Sequence, residues 1–174
     1  MRSQTETALW AGSIVRYHNR PTAQRQTVGE HTWRVLVIYT ELYGMPRAEV
    51  YQNIIYHDVP EIITGDIPFM AKRYYPELKK ILNQIEQKYD ATYLHLPAIT
   101  EEEVAQIKVA DLLEMLFFAI DDYHMGCQFS SDIVINIMEV IGNEDDKTWG
   151  NIWTYIRRKG YSRAIDQIRT AGTL

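Results

Sequence analysis

Residues 27–30 read Thr-Val-Gly-Glu and residues 100–103 read Thr-Glu-Glu-Glu. Each is a capping box: the Thr hydroxyl takes an amide of the first turn, and the Glu reaches back to the Thr amide. Each opens a long apolar-rich run. The first run stops at Gly44, a helix C-terminal signal. The second begins with acids where the helix dipole favours negative charge, and it runs to about Gly126. These starts commit most of the chain to helices. Pro46 suits the first turn of a helix begun by "MPRAEV". Further helices are predicted over 4–14, 76–93, 130–141 and 146–159, with a short one over 161–170; Gly142 and Gly160 mark ends. A polar loop over 17–26 and a turn over 64–69 break the pattern. No repeat, low-complexity segment or dividing linker interrupts the chain. The expected fold class is all-α, a single compact helical bundle over residues 1–174.

Composition narrows the function classes. A chain of 174 residues, 46% apolar with 12 Tyr and 4 Trp, can bury a sizeable core. Its apolar runs are short, and "MRSQTETALW" is no signal region, so the expectation is a cytoplasmic protein without a membrane span. Cys127 has no second cysteine for a disulfide or a zinc knuckle and reads as a small filler near a helix end. Trp149, Trp153 and Tyr155 read as core or subunit interface. The net charge of -5 argues against a general nucleic-acid binder. Yet Arg16, Arg20, Arg25 and Arg34 share one stretch whose sole acid is Glu30. That local patch suits a small anionic ligand better than a long polyanion.

Polar residues fall where helices should face inwards. His31, Val35, Ile38 and Leu42 follow helical spacing on one face. Ile107, Asp111, Glu114 and Phe118 do the same, with Lys108 one turn before Asp111. His57 and Asp58 follow "NIIY" near a helix end, and Pro60 should break that helix just there. Burying a lone carboxylate is costly unless it is paired or bound to a metal. His31, His57, Asp58 and Asp111 form a nitrogen and oxygen set that suits a divalent transition metal, although periodicity does not show that they converge. Blander readings compete: a hydrogen-bonded core histidine for His31, a chance His-Asp dipeptide, and a Lys108–Asp111 contact on a helix surface.

The order His31, His57-Asp58, Asp111 on an all-helical chain resembles the HD-domain metal phosphohydrolases. The likeness is closer to bacterial 5′-deoxynucleotidases of that superfamily, through "VGEHTW", "YHDVPEIITGDIP" and "KVAD". Arg16-Tyr17 stands where that family has Arg followed by an aromatic, which is Trp in the nucleotidases. The similarity runs from about residue 10 to about residue 125. Length and "TVG" before Glu30-His31 also resemble the compact dATP triphosphohydrolases of bacteriophages that replace adenine with 2-aminoadenine.

The resemblance implies a single HD domain in which His31, His57, Asp58 and Asp111 hold Zn, Co, Mn or Fe. A second Mg or Mn ion would arrive with the substrate phosphates. Glu61 and Asp66 are then the catalytic carboxyls: Glu61 orders or deprotonates the attacking water, and Asp66 carries a proton or meets the sugar. Arg16 is the expected phosphate fork, helped by Lys72 and Lys108, with Arg20, Arg25 and Arg73 as further charge for a triphosphate. Tyr17 would pack on the deoxyribose, and Asn19 would pair with an adenine edge. The turn residues Asp66, Ile67, Pro68 and Phe69 would line the substrate. The implied function is a dATP triphosphohydrolase. The alternatives are a 5′-deoxynucleotidase acting on monophosphates, a regulator that binds nucleotide without catalysis, and a plain helical bundle with no metal. The implied partners are a deoxynucleotide and further copies of the chain, as dimer or hexamer, with no nucleic acid and no membrane; for a phage protein the compartment is the host cytoplasm.

Overall fold

In a computed structural model of the protein, residues 3–142 and 146–171 are described, without the side chains of residues 4 and 146–149. Ten α-helices make up the described chain: α1 Gln4–Ala11, α2 Val28–Tyr43, α3 Ala48–Tyr56, α4 Glu61–Thr64, α5 Phe69–Tyr74, α6 Pro76–Tyr89, α7 Glu101–His124, α8 Ser131–Ile141, α9 Asp146–Arg158 and α10 Ser162–Ala171. Among the described residues there is no strand, only an isolated antiparallel bridge between Val15 and Thr27. No helix among them is long and apolar enough to cross a membrane. The contacts divide into two compact units. One comprises the chain up to Arg20 with Arg25–Lys108, and the other Pro21–Gln24 with the chain from Val109.

In the first unit the predicted caps close. Thr27 N–H donates to Glu30 Oε2 at 2.7 Å, and Glu30 N–H donates to Thr27 Oγ1 at 3.3 Å. Thr100 and Glu103 make the same reciprocal pair. Ser3 and Glu6 form a third box, at the start of α1. The end of α1 meets the start of α2 backbone to backbone, because Gly29 N–H donates to the Gly12 carbonyl at 3.0 Å. A Cβ at Gly29 would lie 3.1 Å from that oxygen, so glycine permits the approach. Ala11, Val59, Tyr89 and Leu94 form a buried cluster, with Ala8, Ile14, Tyr56, Ile62 and Leu96 packed on it. That cluster fixes α1 against the turn after α3.

Several boundaries differ from expectation. Pro46 lies ahead of α3, whose N-cap is Arg47. The predicted helix over 76–93 ends as α-helix at Tyr89 and continues as a π-turn over Asp90–Leu94. A period of 3.6 does not reveal a π-turn. Asp90 Oδ1 then accepts the Leu96 amide at 2.9 Å. The predicted turn over 64–69 shrinks between α4 and α5, because each is too short for periodicity to show.

In the second unit α7 is buried all round from Leu112 to Ile120, as a central helix should be. Phe117 stacks on Tyr161, with ring centres 4.3 Å apart. Tyr155 is core, while the Trp149 side chain lies outside the described residues. Asp122 is wholly buried. Its Oδ1 accepts the amides of Ala23 and Gln24 at 2.8 and 3.0 Å, and Ser130 donates its hydroxyl to Oδ2 at 2.5 Å.

Candidate metal centre

The first unit gathers His31, His57 and Asp58. Capping at Thr27 fixes the start of α2, which buries His31 completely in its first turns. His57 caps the C-terminus of α3, and the chain turns through Asp58 and Pro60. The turn exists because Pro60 lacks an amide proton and its ring crowds the preceding turn. One ligand atom from each of the three residues falls within a cluster 4.8 Å across. Asp58 Oδ2 is the focus, 3.5 Å from His31 Nε2, 3.4 Å from His57 Nε2 and 3.1 Å from Arg16 Nη1.

The tautomer of His57 follows from one hydrogen bond. Its Nδ1 lies 2.7 Å from the Ile54 carbonyl oxygen, which can only accept. Nδ1 therefore carries the proton, and in the neutral ring Nε2 holds the lone pair. That Nε2 is buried and has no hydrogen-bond partner among the described residues. A backbone carbonyl behind one ring nitrogen and an open lone pair on the other is how metal-ligating histidines are oriented. Two imidazole nitrogens and a carboxylate oxygen fit a divalent transition ion.

Glu61 opens α4, because its amide donates to the Asp58 carbonyl at 3.0 Å. Its side chain is 8% exposed, and Oε2 is buried with no hydrogen-bond partner among the described residues. Burial first, then the charges of Asp58 and Asp66, push its carboxyl up to about 9, against the pull of Arg16 and Lys72. Gly65, at φ 71°, ends α4 and turns the chain into Asp66. Asp66 is 6% exposed and its Oδ2 accepts the Tyr17 amide at 2.9 Å. Tyr17 sits at φ 56°, unusual for a residue with a side chain. It is buried, with the Arg16 guanidinium 5.6 Å from its ring centre.

The remaining predicted residues are spread more widely. Asp111 is half-buried on the part of α7 that belongs to the second unit. Lys72, Ile67, Pro68 and Phe69 are half-buried; Lys108, Asn19, Arg25 and Arg73 are exposed, and Arg20 is intermediate. Arg16, expected to fork a phosphate, pairs with Asp58. Glu86 is exposed on α6, and desolvation of its carboxyl, with Lys72 and His57 opposing and Asp58 adding, raises its pKa. Nothing in the polar face of α6 distinguishes it from its neighbours. The Asp122 contacts were not legible in the sequence, since the two amides it accepts lie in a loop about a hundred residues earlier.

A family model described as 5′-deoxynucleotidase YfbR-like matches residues 11–143. A dATP triphosphohydrolase of Cyanophage S-2L is 32% identical over 123 residues, which are 67% of this chain and 69% of that protein. A dATP triphosphohydrolase of Acinetobacter phage SH-Ab 15497 is 31% identical over 113 residues, 54% of this chain and 56% of that one. Among solved structures, the Cyanophage S-2L HD phosphohydrolase bound to dA and one catalytic Zn2+ ion is similar with a TM-score of 0.66 at 23% identity. The match covers 91% of this chain and 97% of that one. An HD-domain phosphohydrolase from Listeria innocua reaches a TM-score of 0.69 at 17% identity, over 96% and 97% of the two chains.

Proposed function

We propose, for a chain that belongs to the YfbR-like family of 5′-deoxynucleotidases, that it is a dATP triphosphohydrolase. It is a metal-dependent phosphohydrolase with the HD-type helical fold. The proposed reaction is dATP plus water to deoxyadenosine and triphosphate. The geometric observation behind it is the meeting of two imidazole Nε2 atoms and one guanidinium on Asp58 Oδ2. The choice of dATP rests on the two phage relatives.

In this proposal His31, His57 and Asp58 hold the ion. Asp111 joins them on the strength of its place in the sequence motif. Bound there, a divalent ion lowers the pKa of a nearby water and offsets phosphate charge. Water attacks the α-phosphorus and the bond from phosphorus to the 5′-oxygen breaks. Glu61 handles the proton that the water gives up; it is a buried carboxyl with an oxygen, Oε2, that has no hydrogen-bond partner among the described residues. The departing 5′-oxygen takes a proton back, so the products balance. Arg16 exchanges its Asp58 partner for phosphate oxygens, with Lys72 adding charge beside Glu61. Asp66 works through Tyr17, whose ring closes the sugar side of the site. Asn19 faces the base, and Ile67, Pro68 and Phe69 line the pocket. Lys108 reaches the phosphate from α7. The family match runs across the boundary of the two units and supports one catalytic domain over residues 1–174. A cytoplasmic homo-oligomer, dimer or hexamer, completes the proposal and rests on the family resemblance.

A second reading, a 5′-deoxynucleotidase releasing orthophosphate from deoxynucleoside monophosphates, is favoured by the description of the matching family. Metal-loaded protein offered dATP, the other deoxynucleoside triphosphates, ATP and dAMP distinguishes the two when products are separated by ion exchange. Triphosphate from dATP with dAMP untouched supports the first reading. Orthophosphate from several monophosphates with dATP intact supports the second.

A further inference from the structure

The face of α2 opposite buried Val35 carries apolar side chains into solvent. Trp33 is 66% exposed and Val37 is 40% exposed, one helical turn apart, and the stripe runs on through Glu41 to Gly44. It spans a helix of 16 residues, about 24 Å, that lies wholly within the first unit. Exposed apolar side chains continue beyond both ends. Trp10 is 52% exposed on α1, whose C-terminus meets the start of α2 at Gly12 and Gly29, and Met45, just past α2, is 85% exposed. Single exposed hydrophobics are ordinary, but a contiguous apolar stripe with two tryptophans marks an interaction surface.

The charges beside the stripe choose its occupant. Arg34 and Glu41 stand two turns apart on one flank, with Val37 between them. Two copies of α2 packed antiparallel about a two-fold axis near Val37 set Arg34 of each against the partner's Glu41, so the contact forms twice. A parallel pair would oppose like charges instead. The antiparallel pair also brings Val37 onto the partner's Val37 and carries Trp10 towards the partner's Met45. Gly44, with open space where a Cβ would stand, leaves room for an indole at each end. Glu30, at the head of the stripe, already serves the Thr27 cap.

We infer that this face of α2 binds a second copy of the chain, antiparallel about a two-fold axis near Val37. The inference gives the homo-oligomer proposed above its contact surface. It rests on that reading in self-association alone and not in the reaction.

Sedimentation of the full-length chain and disulfide cross-linking test it. The wild type should sediment at an even multiple of the chain mass. Val37→Cys should cross-link to its own copy under mild oxidation, because a residue on the axis faces itself. Tyr51→Cys, exposed on α3, should not, and buried Cys127 leaves the wild type without a cross-link. Arg34→Glu alone and Glu41→Arg alone each set like charges together and should raise the dissociation constant about tenfold or more. An equal mixture of the two variants should recover most of the wild-type affinity, because each contact then joins opposite charges. A wild type at one or three chain masses overturns the second copy as occupant. An assembled wild type in which Val37→Cys does not cross-link, or in which both charge variants assemble as well as the wild type, overturns this surface. Where a charge variant does not fold, the Val37→Cys cross-link decides. These readouts need no substrate, so a failure of dATP hydrolysis and a failure of this inference are told apart.

Discussion

Asp66 holds the backbone amide of Tyr17 at 2.9 Å, and Tyr17 sits there in a left-handed conformation at φ 56°. The pair joins the turn after α4 to the residue beside Arg16. A left-handed non-glycine residue is strained by about 1–2 kcal/mol and persists only where its surroundings hold it. Replacing Asp66 with Ala should release Tyr17, carry Arg16 away from Asp58, and lower kcat/KM by about a hundredfold or more. Asp66→Asn retains an oxygen to accept the amide. Its melting temperature should stay near that of the wild type while that of Asp66→Ala falls. Thermal denaturation beside steady-state kinetics on the two variants checks this.

The donor set makes a separate prediction. Metal analysis of protein purified without added metal should find about one divalent transition ion per chain, by the ligand logic of the site. Chelation should lower the melting temperature, since an ion bound only by the folded state stabilises it. Alanine at His31, His57 or Asp58 should abolish the bound ion. Asp111→Ala should weaken it too, and a variant that retains full metal would remove Asp111 from the ligand set.

Glu61 is buried beside two other carboxylates, so its charge opposes folding. Glu61→Gln should therefore lower kcat by about a hundredfold or more, the scale of a lost proton-transfer group. It should leave the melting temperature of the metal-free protein equal to or above that of the wild type. Loss of activity together with loss of stability would reassign Glu61 to a structural role.

Legibility in the sequence followed the range of the forces involved. The two long capped helices, the break at Pro60 and the inward faces of His31 and Glu114 were readable, because caps and 3.6-residue periodicity are local. The meeting of His31 with His57 and Asp58 was only a consistent possibility, since periodicity fixes a face and not its neighbour. The Arg16–Asp58 pair, the hold of Asp66 on the Tyr17 amide and the Asp122 contacts were not readable. Each depends on contacts between residues far apart in sequence, and the π-turn after Tyr89 leaves no period to detect.

Arg47 and Glu103 supply a pH prediction away from the site. The Arg47 fork meets both Glu103 oxygens, at 2.7 and 2.8 Å, and Thr100 adds further donors. The Arg47 bond first, then the Thr100 amide, pull the Glu103 carboxyl down to about 2 from 4.5. A carboxyl depressed by folding stabilises above its unfolded pKa, and the contribution is lost as pH falls through the folded one. The stability difference between wild type and Glu103→Gln should thus be full above about pH 4.5 and vanish towards about pH 2. Salt should shrink it, because the pair is solvent-accessible. Denaturant titrations at several pH values check both.

Gly29 offers a packing test close to the metal set. A Cβ there would stand 3.1 Å from the Gly12 carbonyl oxygen, which accepts the Gly29 amide. Gly29→Ala should push the start of α2 away and cost about 1–2 kcal/mol, the usual range for overpacking. Metal affinity should fall with it, because His31 follows two residues later. A variant with wild-type stability and affinity would show that the approach has slack.

Hydrolysis of dATP in water enriched with oxygen-18, with products read by mass spectrometry, tests the central claim most directly. Attack at the α-phosphorus predicts unlabelled deoxyadenosine and triphosphate carrying one heavy oxygen from solvent. Products of dAMP with pyrophosphate, of dADP with orthophosphate, or dATP left intact while dAMP is cleaved, would contradict it.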